Sequence, residues 1–224
     1  MAKKPYAPEI KIERPNLIIY EGKEDGAFFE HFLKNLGLID DFQRYNADGV
    51  NNIARFIKFI RNAKGAEKLK SIVVIADSDN KPKGRSQSIK DALRRANFPV
   101  PTSPCVVAMS KNSDNVQKTA YALFPKLNSD DENGALENLY LELLTHPRQN
   151  EILSIVDSAM TNYEKQIEVL NHPHKNRLHT YLSLTNEYVA EGLSAVMSKN
   201  AFDFNSEKLQ PLKDLLSSIV GDEL

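Results

Sequence analysis

The apolar positions change their spacing along the chain, and each change marks an element. Ile72-Val73-Val74-Ile75-Ala76 is a continuous apolar run, the pattern of a strand covered on both faces in a parallel sheet. Leu17-Ile18-Ile19-Tyr20 is a shorter run of the same kind. Between them Phe28, Phe29, Phe32, Leu33 and Leu36 recur at helical spacing and stop at Gly37. Ile53, Phe56, Ile57 and Ile60 repeat that spacing and end near Lys64-Gly65. Asp41 to Tyr45 reads as a short strand, and Asn46-Ala47-Asp48-Gly49 as turn chemistry.

After the central run comes a basic loop, Asn80 to Arg85, and then a helix with Ile89, Ala92, Leu93 and Ala96 on one side and Lys90, Arg94 and Arg95 on the other. Val106-Val107-Ala108-Met109, which follows Cys105, and Tyr121-Ala122-Leu123-Phe124 are the next strand candidates. The polar segment from Ser110 to Lys118 between them reads as a loop or hairpin tip. Leu136, Leu139, Tyr140 and Leu143 then form a helical face. From Pro147 onward only helices are expected: one carrying Ile152, Ile155, Val156 and Ala159, one carrying Leu178, Tyr181, Leu182 and Leu184, and a last one over Leu209 to Val220.

Strand–helix alternation predicts an α/β fold: a Rossmann-like, mostly parallel central sheet flanked by helices. The expected division is an α/β domain over residues 1–146 and a helical extension over 147–224 packed on it. Residues 1–14, bounded by Pro5, Pro8 and Pro15, read as a loose arm or an edge strand.

Composition narrows the function. No apolar run approaches the ~18 residues of a membrane span, and Met-Ala-Lys-Lys-Pro-Tyr lacks the apolar segment of a signal peptide. A single cysteine, Cys105, excludes an internal disulfide framework and reads as a strand residue rather than a nucleophile. A cytoplasmic protein is expected. The formal net charge of −1 argues against a passive nucleic-acid coat, which needs many Lys and Arg. It permits an enzyme that meets phosphates through metal ions and a local basic patch.

The chemistry is carried by acids at strand ends. Asp77 and Asp79 leave the central strand at its C-terminal edge, where open α/β sheets hold their ligands. Carboxylates this close repel unless a cation lies between them, and oxygen ligands suit Mg²⁺, although aspartates at a strand end also cap the turn that follows. Glu21 ends the first strand and faces the same edge. Asp25 stands one helical turn further on, although an acid in a first helical turn also serves the helix dipole. Glu137, again in a first helical turn, follows a later strand and its loop toward the same edge.

A strand ending in Glu21-Gly22-Lys23, a Phe-rich helix, and a later strand ending in Asp77-Ser78-Asp79 together resemble a Toprim domain, over roughly residues 16–145. Such domains occur in topoisomerases, bacterial primases, recombination mediators and overcoming-lysogenization-defect nucleases. The whole chain also resembles a compact bacterial family of stand-alone Toprim-like proteins of unknown function. That likeness includes Gly134-Ala135-Leu136-Glu137, Lys175-Asn176-Arg177-Leu178-His179 and Ala201-Phe202-Asp203-Phe204. Gly84 arrives later after the Asp pair than in many Toprim enzymes. Nothing here supplies a topoisomerase tyrosine domain or a primase zinc module.

The resemblance implies a phosphodiesterase acting on nucleic acid with Mg²⁺ or Mn²⁺. Glu21, Asp77 and Asp79 would hold metal, Asp25 and Glu137 would complete a second site, and Lys175 would stabilise charge on the scissile phosphate. His174 and His179 are alternatives for proton transfer, though surface or cap roles suit them better. Two rivals remain: a catalytically silent binding module, and an effector working with a separate ATPase, since no Walker motif occurs here. A homo-oligomer is compatible with either reading.

Overall fold

The continuous apolar runs become the middle of one sheet. The structure is a computed structural model described over residues 10–110 and 118–221. Strands β1 (Asn16–Tyr20), β2 (Phe42–Asn46), β3 (Ser71–Asp77), β4 (Ala108–Met109) and β5 (Lys118–Phe124) lie in the order β2-β1-β3-β5-β4. All neighbours are parallel except β4 against β5. Every residue of β1 is buried, as is every residue of β3 before Asp77. Such strands have no wet face, so their sequences cannot alternate with polar residues.

Strand periodicity sorts the core into two layers. Ile18, Tyr20, Val73, Ile75, Ala122 and Phe124 face one way, and Leu17, Ile19, Ile72, Val74, Ala76 and Leu123 the other. The second face is covered by α2 (Val50–Phe59) and α3 (Pro82–Arg95), through Ile53, Phe56, Ile57, Ile89 and Leu93. The first is covered by α1 (Lys23–Leu36) and α4 (Leu136–Glu142), and the later helices build on it. These are α5 (Gln149–Gln166), α6 (Pro173–Leu184), α7 (Leu193–Ser198) and α8 (Gln210–Val220). One apolar cluster runs from Ile18 and Val73 through Tyr140 and Tyr181 to Leu216 and Ile219.

The expected α/β architecture is observed, with local differences. Helix α3 begins at Pro82, so the basic segment is a loop only to Lys81 and Arg85 already lies in the helix. Proline fits that first position because its missing N–H has no helical acceptor there. Cys105 lies in a turn at φ 59°, not in a strand. Its Sγ contacts the Leu127 carbonyl at 3.1 Å, and burial pushes the thiol up to about 12, which suppresses the thiolate. Helix α5 buries Val156 and half-buries Ile152, Leu153 and Met160, whereas Ile155 and Ala159 are exposed. Leu184 is exposed too, and α7, which had no strong sequence signal, buries Leu193, Val196 and Met197.

Of the arm over 1–14, residues 1–9 lie outside the described residues. Ile10 and Ile12 are buried, and Lys11 bridges Lys64 in the parallel sense, as an edge strand does. The expected loop from Ser110 to Lys118 falls mostly on residues 111–117, also outside them. Among the described residues, no helix is long and apolar enough to cross a membrane.

Phe28 ties these layers together. Its ring centroid lies 5.2–5.9 Å from those of Phe29, Phe32, Phe124, Tyr140 and Phe204, which joins α1 to β5, α4 and the segment before α8. Phe28→Ala should cost about 3–5 kcal/mol in urea denaturation. Far-UV circular dichroism and tyrosine fluorescence should still report one coincident transition. A loss under about 1 kcal/mol would show that the ring is not at the centre of the packing.

Candidate functional site

The period of β3 decides which acid faces which layer. Val73 and Ile75 face the α1/α4 side, so Asp77, two residues on, emerges on that side as the strand ends. Its Oδ1 accepts a hydrogen bond from the backbone N–H of Leu136, the first residue of α4, at 3.0 Å. Asp25, in the first turn of α1, is buried. Its Oδ2 accepts from the N–H groups of Glu21 and Gly22, at 3.0 and 2.9 Å. Both carboxylates therefore satisfy amides at a helix start, which ordinary chain geometry leaves without partners.

Helix α4 is fixed to the end of β3 by a second contact. Asp79 N–H donates to the Gly134 carbonyl at 2.8 Å, and Gly134 N–H donates back to the Asp79 carbonyl at 2.9 Å. Gly134 has φ 140°, and a Cβ there would lie 2.7 Å from Asn138 Oδ1 and 3.0 Å from Pro125 Cδ, so only glycine fits. This clamp explains the Gly134-Ala135-Leu136-Glu137 segment in physical terms: the glycine lets the chain turn tightly and so delivers Glu137 to the rim. Glu137 is 3% exposed.

Lys175 comes from the first turn of α6, far along the chain. Its Nζ lies 3.3 Å from Glu137 Oε1 and 3.6 Å from Glu24 Oε2. His179, one turn further, has Nε2 3.9 Å from Glu24 Oε1. Glu24, an acid in the first turn of α1, thus links α1 to α6. No pattern in the sequence pairs it with residues so distant.

The structure brings Glu21, Asp25, Asp77, Glu137 and Lys175 together and leaves Asp79 apart. An extended backbone would have put Asp79 on the same side as Asp77. Instead Asp79 adopts φ 49°, the strand's alternation ends, and its exposed carboxylate pairs with Arg85 Nη2 at 2.6 Å. Arg85 Nε also donates to the Asp77 carbonyl at 2.9 Å. His174 is half-exposed at the start of α6.

The gathered acids feel one another. Burial, then the charges of Asp25, Glu137 and Glu21, push Asp77 up to about 8. Burial pushes Asp25 up to about 6, opposed by the Gly22 and Glu21 amides and reinforced by the charges of Glu21 and Glu137. Lys175 is raised against its own desolvation by Glu137 and Glu24. One ammonium among these acids leaves an excess of buried negative charge, which protons or a cation must offset.

The donor set suits a hard divalent cation: its atoms are all carboxylate oxygens, with Asp25 and Glu137 buried and Glu21 and Asp77 half-buried. Glu137 Oε2 is buried and has no hydrogen-bond partner among the described residues, the condition expected of a ligand atom awaiting a cation. Also among those residues, no group of three or more His, Cys, Asp or Glu side chains is already arranged to hold a metal. Holding an ion there would therefore need the longer Glu21 and Glu137 side chains to rotate while Asp25 and Asp77 keep their amide bonds.

The sequence matches the family described as "Protein of unknown function (DUF3226)" over residues 15–221. No curated protein and no solved structure gives a match.

These pKa displacements have a definite sign. An unfolded aspartate loses its proton near pH ~4, whereas folded Asp77 holds its proton to about 8. Its contribution to stability is full below the unfolded value and is lost as the pH rises through the folded one. In metal-free protein, Asp77→Asn, whose amide oxygen can still accept from Leu136, should therefore raise the melting temperature at pH 8, by roughly 3–6 °C. At pH 5 the gain should be small. Equal gains at both pH values would contradict the repulsion argument.

Proposed function

The chain belongs to the DUF3226 family, whose description states no function, and from its own residues we propose that it is a Toprim-type phosphodiesterase that cuts the nucleic-acid backbone with Mg²⁺ or Mn²⁺. The observation that carries this reading is the group of acids at the end of β3, with Asp25 and Asp77 held far above the usual carboxylate range. Amides or hydroxyls would cap these helix starts without the mutual repulsion that the gathered carboxylates carry. The cytoplasm is the compartment that suits this activity.

In this reading Glu21, Asp25, Asp77 and Glu137 hold the cation. When bound, it supplies Lewis acidity toward the phosphate and acidifies an attacking water. Asp77 and Asp25 are kept in place by the amides they already accept from, so little reorganisation accompanies their ionisation. Lys175 Nζ sits at the outer side of Glu137, where it can donate to a non-bridging phosphate oxygen as charge grows. Glu24 holds Lys175 and His179 toward the rim from α1. Asp79 joins only by leaving Arg85, so it is a secondary ligand at most.

The second reading is a silent Toprim module that binds nucleic acid or a protein partner, such as a separate ATPase. It is favoured by the absence, among the described residues, of a ready-made ligand set. The two readings part in a cleavage assay on single-stranded, duplex and RNA substrates. The enzyme should cut in Mg²⁺ or Mn²⁺, stop in chelator, and lose at least about 1000-fold in rate with Asp77→Asn or Glu137→Gln while remaining folded. Lys175→Met should cost about 100–1000-fold with the metal-induced rise in melting temperature retained. Cleavage that survives chelation or Asp77→Asn would overturn the reading.

A further inference from the structure

We propose that the groove on the α3 side of the same rim is a phosphate subsite, which takes a backbone phosphate of the bound strand next to the one that is cut. Its identity as a nucleic-acid phosphate rests on the phosphodiesterase reading; its chemistry does not.

The groove is lined by Ser78, Asn80, Lys81, Gly84 and Arg85, among others. It lies where α3, a helix of 14 residues, begins. The first helical bond runs from Arg85 N–H to the Lys81 carbonyl, at 2.9 Å. Pro82 has no N–H, so Lys83 and Gly84 carry the first-turn amides whose acceptors must come from outside the helix. No side chain caps this start. Aligned amides at a helix start attract anions, phosphate above all.

A second observation points to a ligand. Ser78 is 1% exposed, and its Oγ has no hydrogen-bond partner among the described residues. Ser78 follows the last residue of β3 and continues its hydrogen bonding to β5, since its N–H donates to the Phe124 carbonyl at 2.9 Å. The alternation that sends Asp77 toward α1 and α4 therefore sends Ser78 toward α3 and the groove. A buried hydroxyl left unbonded is costly unless something completes it.

Gly84 agrees with this. A Cβ there would meet only Lys81 Cβ, at the ordinary contact distance of 3.6 Å, so packing does not demand glycine. Glycine also weakens a helix relative to alanine. What it provides is an uncovered amide that a ligand can approach closely. The negative charge of Asp79 at the groove is matched by Arg85, and the Lys81 side chain is exposed beside it. Lys83 is 3.3 Å from Asp131, an exposed pair that yields readily. Asp77 leads one way from the strand end and Ser78 the other. A strand lying across the rim would set one phosphate at the acids and its neighbour at the groove.

The test uses the full chain in chelator, so that no metal takes part. Inorganic phosphate, against chloride at equal ionic strength, should raise the melting temperature by several degrees at millimolar concentration. Ser78→Ala and Gly84→Ala should each lose at least half of that rise. Without phosphate both variants should melt at or above the parent, which separates loss of the ligand from loss of the fold. Asp77→Asn should keep the phosphate response, and the Ser78 and Gly84 variants should keep the response to Mn²⁺. The two readings therefore fail separately. A short single-stranded oligonucleotide should displace phosphate. No phosphate-specific rise, or a rise unchanged in both variants, overturns the subsite. A rise that an oligonucleotide does not suppress overturns the backbone as its source.

Discussion

Like charges held close together at the end of a buried strand constrain everything else at this rim. Asp25 and Asp77 are there because the two neighbouring helices start there: Asp25 completes the amides that open α1, and Asp77 the amide that opens α4. Each is a sound local solution. Together, and with Glu21 and Glu137, they are a global conflict, because low dielectric strengthens their repulsion and burial denies them water. The fold tolerates the conflict because it is confined to one spot, above a core of apolar residues on both faces of the sheet. Local strain of this kind, held in place by a stable surround, is typical of sites that bind or react.

The later part of the chain is organised toward the same spot. The apolar cluster that begins under α1 continues through α6 to α8, and α6 is seated by Leu178, Tyr181 and Leu182. That seating delivers Lys175 to Glu137 and Glu24. The helices after Pro147 therefore complete the electrostatics of the rim in addition to covering apolar surface. The Gly134 clamp does the corresponding work from the other side, through a backbone conformation that a Cβ would block.

Much of this was legible in the sequence because burial on both faces leaves a plain mark. Ile72 to Ala76 and Leu17 to Tyr20 can be little else but inner strands, and the spacing of Phe28, Phe29, Phe32 and Leu33 fixes α1. The placing of acids at strand ends follows from the same pattern. What the sequence could not disclose depends on single dihedral angles or distant contacts. The positive φ of Asp79 removes it from the face that alternation assigns to it. Ile155 and Ala159 fit a helical stripe as well as Leu153 and Met160 do, and only the neighbours of α5 decide which stripe is buried. The meeting of Glu24 with Lys175 spans most of the chain, and the resemblance pointed to Lys175 but not to its partner. Ser78 was silent because an unpaired hydroxyl is a property of coordinates, not of residue order.

The cation site at the end of β3 is tested most directly by a crystal structure of the protein grown or soaked with Mn²⁺ near pH 8, with the ion located by its anomalous signal. The expected result is an ion at the end of β3, ligated by Asp77 and Glu137 together with Asp25 or Glu21, with Lys175 still beside Glu137. Well-ordered protein with these carboxylates unmoved, and no Mn²⁺ among them at saturating concentration, would contradict it.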